Sequence, residues 1–177
     1  MHAAAVNRVR VVFDLFDADG NGVLEPVDFE LMADRVVAAA PHSAAADHQA
    51  LRAAFHRYWT TLADVLDTNG DGRIDFDEYT ACVLSPERFE ATIDEFAEAL
   101  AALGDPEGLG TVGRADFMAL MLAIGFEEER IDALFDAFEP SADDRIGVDT
   151  WAVGIRDYYA PDKAGIPGDH LAGGVAA

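Results

Sequence analysis

Two twelve-residue stretches of this chain place oxygen-bearing side chains at alternate positions. Asp67, Asn69, Asp71, Asp75 and Glu78 stand at positions 1, 3, 5, 9 and 12 of the stretch 67–78, with Gly72 at position 6. Asp17, Asp19, Asn21, Glu25 and Asp28 fill the same positions of the stretch 17–28, with Gly22 at position 6. Alternate residues of a tightly wound loop point inward, so that about six to eight oxygens converge on a hard cation such as Ca²⁺ at about 2.3–2.6 Å. Position 7 supplies only its backbone carbonyl, here from Val23 and Arg73, and glycine at position 6 permits the sharp turn. Glu78 is long enough to ligate with both oxygens. Asp28 is one methylene shorter, which favours a single contact and a smaller shell, so the 17–28 loop is expected to accept Mg²⁺ more readily than the 67–78 loop. Two Ca²⁺ sites are expected in all.

Two further acidic stretches keep the frame and lose the ligands. The stretch 105–116 has Leu109 at position 5 and Gly113 at position 9; the stretch 139–150 has Asp144 where glycine is wanted and Thr150 at position 12. Both are expected to be scaffolds without metal. Position 8 is apolar in all four stretches: Leu24, Ile74, Val112 and Ile146. These residues are expected to join the loops in pairs through short antiparallel contacts, Leu24 with Ile74 and Val112 with Ile146. The run from Gly108 to Gly113 matches a dinucleotide fingerprint in spacing, but that motif needs a preceding strand and a βαβ unit, and an amphipathic helix leads in here instead. His48 and His56 lie eight apart beside Arg52 with no third ligand in sight, so a solvated polar face is expected rather than a zinc site.

The elements that must position these loops are helices. Val9, Val12, Phe13 and Phe16 fall on one helical face, as do Leu51, Phe55, Trp59, Leu62 and Leu66, and the same 3.6-residue period returns at Phe89–Leu103, Phe117–Ile124, Ile131–Phe138 and Trp151–Tyr158. Ser85-Pro86-Glu87 reads as a helix start and Gly125 as a helix stop. Phe13, Phe16, Trp59, Phe89, Phe96, Phe135 and Trp151 are expected in the core. Pro161 to Ala177, rich in Gly and Pro, reads as an irregular tail. The expected organisation is an N-terminal pair of loops over 1–84, a C-terminal pair over 85–159 and the tail over 160–177.

With 177 residues the chain is long enough for one compact body. Acids outnumber bases by 34 to 12, for a formal charge of -22, while 51% of the residues are apolar. Such a surface repels phosphate backbones and anionic headgroups, so neither nucleic acid nor membrane is an expected partner. The apolar fraction excludes a disordered acidic tail. A lone cysteine, Cys82, excludes an intrachain disulfide and is expected to pack as a small hydrophobe. Arg8 and Arg10 interrupt any secretory signal, and no apolar run spans a bilayer. The expectation is a soluble, cytoplasmic monomer.

At its loops the chain resembles the EF-hand superfamily, and the layout looks like a bacterial calerythrin-like relative of the sarcoplasmic calcium-binding proteins. The long interval between the first two loops, Asp28 within Leu24-Glu25-Pro26-Val27-Asp28-Phe29-Glu30, and Ile155-Arg156-Asp157-Tyr158-Tyr159 carry that likeness. The resemblance implies an all-α fold of four helix–loop–helix units, in two pairs packed as one compact body, with Gly168-Asp169-His170-Leu171 lying against it. It departs from the calerythrin pattern in keeping a working second loop and degraded third and fourth loops. The expected activity is non-enzymatic, with no catalytic residue and no organic cofactor. A Ca²⁺ buffer is the leading expectation, and the alternative is a Ca²⁺ sensor whose N-terminal half regulates a protein partner. Only four Met occur, too few for a Met-rich target groove.

Overall fold

The computed structural model describes residues 3–81 and 86–172. Cys82 and Ser85 lie outside them. The chain is mostly helical, in the order α1 (Ala3–Phe16), α2 (Pro26–Ala38), α3 (Ala45–Leu66), α4 (Phe76–Thr80), a 3-10 turn (Pro86–Arg88), α5 (Glu90–Leu103), β1 (Thr111–Gly113), α6 (Arg114–Ile124), α7 (Glu128–Ala137), β2 (Arg145–Gly147), α8 (Val148–Tyr159) and α9 (Asp169–Ala172). Among the described residues no helix is long and apolar enough to cross a membrane.

Each acidic stretch lies between two helices. Proline sits at the start of α2, where its missing N–H removes no hydrogen bond. Gly125 stops α6 in a left-handed conformation, φ +116°, with its N–H donating to Met121 O at 3.2 Å. The expected helix start at Ser85-Pro86 is displaced. Pro86–Arg88 makes a tighter turn that delivers Phe89 into the core, and the α-helix begins at Glu90.

The position-8 residues join the loops as anticipated. Leu24 N–H donates to Ile74 O at 2.8 Å and Ile74 N–H to Leu24 O at 3.0 Å, with both side chains fully buried. The second contact is a short antiparallel ladder, β1 against β2, pairing Thr111 with Gly147, Val112 with Ile146 and Gly113 with Arg145.

A single apolar core runs through both halves. Phe13, Phe16, Trp59, Phe89, Phe96, Phe135 and Trp151 are all buried in it. Phe16 stacks on Phe29 at 4.9 Å, and Phe55 of α3 meets Phe96 of α5 edge to face at 5.2 Å. Phe117 lies 4.7 Å from Trp151 and 5.1 Å from Phe135. Such aromatic pairs add roughly 0.5–1.5 kcal/mol each beyond the area they bury. Because α5 packs against both α3 and α8, the two halves are held on common helices.

The tail is less irregular than its composition suggests. Asp169 accepts hydrogen bonds from the Gly165 and Ile166 backbone N–H groups, α9 forms one helical turn, and Leu171 is buried against α1 and α7. Arg8 of α1 pins this segment. Only 1% exposed, it donates to Tyr158 O at 2.7 Å, Ala160 O at 2.9 Å, Lys163 O at 3.0 Å and Asp169 Oδ1 at 2.6 Å. Two of these acceptors, the carbonyls of Tyr158 and Ala160, lie at the end of α8, where helical N–H partners run out.

Candidate metal centre

The 17–28 loop is wound around its first aspartate. Asp17 Oδ1 accepts from Asn21 N–H at 3.0 Å and Oδ2 from Gly22 N–H at 2.8 Å. Asp67 repeats the frame, accepting from Asp71 N–H at 3.1 Å and Gly72 N–H at 2.9 Å. Gly22 and Gly72 have φ +86° and +78°, the left-handed region that a side chain would strain. Both loops thus turn back on their first aspartate.

Asp28 closes the first loop from the start of α2. It is completely buried, with Oδ2 accepting from Glu25 N–H at 2.8 Å and Oδ1 from Ala18 N–H at 3.1 Å. Oxygens of Asp17, Asp19 and Asp28 all lie within 4.8 Å of one another. Burial pushes the Asp28 carboxyl above the usual carboxylate range; the Glu25 hydrogen bond opposes this and the Asp19 charge adds to it. Three carboxylates so placed, one of them desolvated, form a site that a divalent cation would relieve. Glu25 stands aside from that cluster: Asn21 Nδ2 donates to its Oε2 at 2.9 Å, and Arg73 Nε of the second loop lies 3.2 Å from its Oε1. Val23 N–H is held by Asn21 Oδ1 at 3.0 Å.

In the second loop Glu78 Oε1 accepts from Thr68 N–H at 3.1 Å and Thr68 Oγ1 at 3.0 Å, while Oε2 accepts from Asp75 N–H at 3.2 Å. Asp75 caps α4 in return, accepting from Glu78 N–H at 2.8 Å. Asn69 Oδ1 accepts from Asp71 N–H and Asp71 Oδ1 from Arg73 N–H. Glu78 is therefore tied across the loop to its first turn. Among the described residues, only Asp17, Asp19 and Asp28 converge as a carboxylate trio, so the Asp67, Asp71, Asp75 and Glu78 carboxylates share a frame without being drawn so closely together.

The third loop retains the frame, with Asp105 accepting from Leu109 N–H at 2.9 Å and Gly110 N–H at 2.7 Å. The fourth replaces it. Glu139 and Asp144 adopt φ +54° and +58°, and Asp144 is gripped by Arg114. His48, partly buried, bonds the Ala40 carbonyl at 2.8 Å, and Arg52 pairs with Asp34.

Arg8 and Arg114 are the structural residues that the loop spacing does not announce. Arg8 shares a helical stripe with Val12 and Phe16, a charge among core positions. Arg114 opens α6, where the helix dipole disfavours a cation. Each placement signals a partner elsewhere in the fold.

Helix–loop–helix segments joined by a loop-to-loop bridge are the arrangement of an EF-hand pair. The family model described as EF hand matches residues 64–83, the second loop with its flanks. Within that class the chain is similar to calerythrin of Saccharopolyspora erythraea, at 26% identity across 89% of this chain and 93% of that protein. A solved Streptomyces coelicolor calcium-binding protein, described in terms of prokaryotic calcium-mediated regulation, superposes with TM-score 0.74 at 27% identity, over 90% of this chain and 99% of the other. The sarcoplasmic calcium-binding protein from amphioxus shares the fold, with TM-score 0.72 at 18% identity and 98% coverage of each chain. Over most of its length the chain is thus similar to calerythrin and to a bacterial calcium-binding protein, and residues 64–83 match an EF hand.

Proposed function

We propose that the chain binds two divalent cations, one in loop 17–28 through Asp17, Asp19, Asn21, Val23, Glu25 and Asp28, and one in loop 67–78 through Asp67, Asn69, Asp71, Arg73, Asp75 and Glu78. Val23 and Arg73 contribute carbonyls. The observation that carries this reading is the convergence of Asp17, Asp19 and a fully buried Asp28 on one point. Four EF-hand units form two pairs, over 1–84 and 85–159, with the segment from 160 strapped across them. Ca²⁺ is the cation of the second loop. In the first, Asp28 spends both oxygens on backbone N–H groups, and its short reach suits the smaller shell of Mg²⁺ as well.

The role is that of a monomeric cytoplasmic Ca²⁺ buffer. Met32 and Met121 are buried and Met118 packs against the core, so those methionines offer no ready groove to a target helix. A sensor role for the N-terminal half is the second reading, favoured by likeness to a protein of calcium-mediated regulation. Calorimetric Ca²⁺ titration with and without millimolar Mg²⁺, on wild type, Asp28→Ala and Glu78→Ala, separates the two when run beside a hydrophobic dye. Two tight sites blunted by Mg²⁺, each variant losing one, with no dye response, establish the buffer. Weaker binding at the Glu78 loop that persists in Mg²⁺ and exposes dye-binding surface establishes the sensor. Undiminished stoichiometry in both variants refutes the site assignment.

A further inference from the structure

Outside loops 17–28 and 67–78, three further carboxylates are spread around a single guanidinium. Asp132 and Asp136 are i, i+4 neighbours on α7, an arrangement that is destabilising for like charges, and Asp144 faces them from the fourth loop. One guanidinium serves all three. Arg114 Nη1 donates to Asp132 Oδ1 at 3.0 Å, Nη2 to Asp136 Oδ1 at 2.6 Å, and Nε to Asp144 Oδ2 at 2.8 Å. Its backbone N–H donates to the Asp144 carbonyl at 3.3 Å, and the guanidinium carbon lies 4.4 Å from the Phe135 ring centroid. Arg145 adds a second tie across the ladder, through Nε to Thr111 Oγ1 at 2.7 Å and Nη2 to Thr111 O at 2.8 Å.

The backbone is shaped to suit. Asp144 occupies the loop position that glycine holds in the first two loops, and it sits at φ +58°. Aspartate tolerates this region better than most residues, yet the conformation is still a strained one for a side chain with a Cβ. The carboxylate thus placed is the one Arg114 grips twice. The same loop lacks a carboxylate at position 12, where Thr150 stands.

We infer that Arg114 is the resident cation of the C-terminal half: it holds α6, α7 and the fourth loop in one arrangement with or without Ca²⁺, and so confines the metal response to residues 17–78. In the first two loops the acidic charge awaits an ion from solution; around Arg114 it is neutralised by the chain itself. The half that carries β1 and β2 is then a fixed platform on which the N-terminal half alone responds. This inference rests on the reading that metal is taken by loops 17–28 and 67–78.

Hydrogen exchange read by mass spectrometry on the full chain, with Ca²⁺ and with chelator, tests it for wild type and Arg114→Gln. In wild type, protection of amides 111–147 is expected to be the same in both conditions, while that of 17–78 rises with Ca²⁺. In Arg114→Gln, protection over 111–147 falls roughly tenfold in both conditions, the effect of losing several charge-assisted but partly exposed hydrogen bonds. Asp144→Asn keeps a residue at home in the left-handed region and weakens only the charge, so it reports a smaller loss if the glutamine variant fails to fold. Protection of 111–147 that tracks Ca²⁺ in wild type as closely as that of 17–78 overturns the inference. Full protection retained there by both variants overturns it equally. A wild type in which no amide responds to Ca²⁺ refutes the metal reading, and the fall in the two variants still decides the clamp.

Discussion

Replacing Arg8 by methionine is expected to be the most damaging single change in α1. The methionine keeps much of the side-chain length and removes the charge with all four of its donated hydrogen bonds, to Tyr158 O, Ala160 O, Lys163 O and Asp169 Oδ1. Removing one partner of a buried ion pair costs roughly 3–5 kcal/mol, because the other group and its hydrogen-bond partners are left without compensation. Asp169 is 28% exposed and keeps the Gly165 and Ile166 N–H groups, so it recovers part of its solvation. Of the three carbonyls, that of Tyr158 accepts a buried bond and recovers least, whereas those of Ala160 and Lys163 are only partly buried. A loss near the lower bound, about 3 kcal/mol, is the expected result. At roughly 2–4 °C per kcal/mol for a chain of this size, the melting temperature should fall by about 6–12 °C. Urea unfolding followed by far-ultraviolet circular dichroism, in saturating Ca²⁺, gives the free energy, with Asp169→Asn as the milder comparison because its amide oxygen still accepts from Arg8. A loss below about 1 kcal/mol for Arg8→Met, or one no larger than for Asp169→Asn, would refute the assignment of Arg8 as the clamp of the tail.

Three further outcomes are expected. Arg114 holds the Asp144 carboxyl below the usual carboxylate range, so the pair contributes fully above the unfolded value, near pH 4, and is lost as pH falls through the lower folded value; the stability gap between wild type and Asp144→Asn should stay level from pH 7 to about 5 and close in more acid solution, and a gap that widens there contradicts the pairing. Gly125→Ala should destabilise by about 1–3 kcal/mol, measured by thermal melting, since φ is +116° and an added Cβ would lie 2.9 Å from Leu15 Cδ2; an unchanged melting temperature would show that the end of α6 relaxes freely. Arg73→Gln should tighten Ca²⁺ binding in the 17–28 loop by a factor of roughly two to five, because it releases Glu25 from an exposed ion pair of modest strength; calorimetry showing weaker binding would mean that Arg73 helps to build the loop rather than competing for it.

How much of this was readable beforehand depends on distance along the chain. The candidate metal loops are local objects: twelve residues contain the candidate ligands, the glycine and the apolar position, so Asp17 to Asp28 and Asp67 to Glu78 could be singled out without knowing the fold. The contacts of Leu24 with Ile74 and Val112 with Ile146 were readable for the same reason, since equivalent positions of repeated units meet. The helical core followed from periodicity, as Phe55, Phe96 and Trp151 show. The convergence of Asp17, Asp19 and Asp28, tighter than anything in the better-spaced second loop, depends on how deeply α2 buries Asp28, and spacing does not encode depth. Arg8 and Asp169 are 161 positions apart, and nothing local ties them. The one-turn helix α9 hid in a Gly- and Pro-rich stretch because Leu171 is a single apolar residue, too few for a period. Arg114 left a trace, a cation at a helix N-terminus, whose partners only the folded chain reveals.

The Arg8 clamp also sets an order of events during biosynthesis. Its acceptors lie at residues 158 to 169, so when α1 leaves the ribosome the guanidinium has none of them and must stay hydrated. At roughly 5–20 residues per second, its last partner is made about 8–30 s later. Until then α1 is held only by its partners in the first part of the chain, such as Phe29, which Phe16 stacks on, and lacks the contact that closes over Arg8. Closure over α1 therefore waits for residues 158–169 to be made, whether or not the ion is already present.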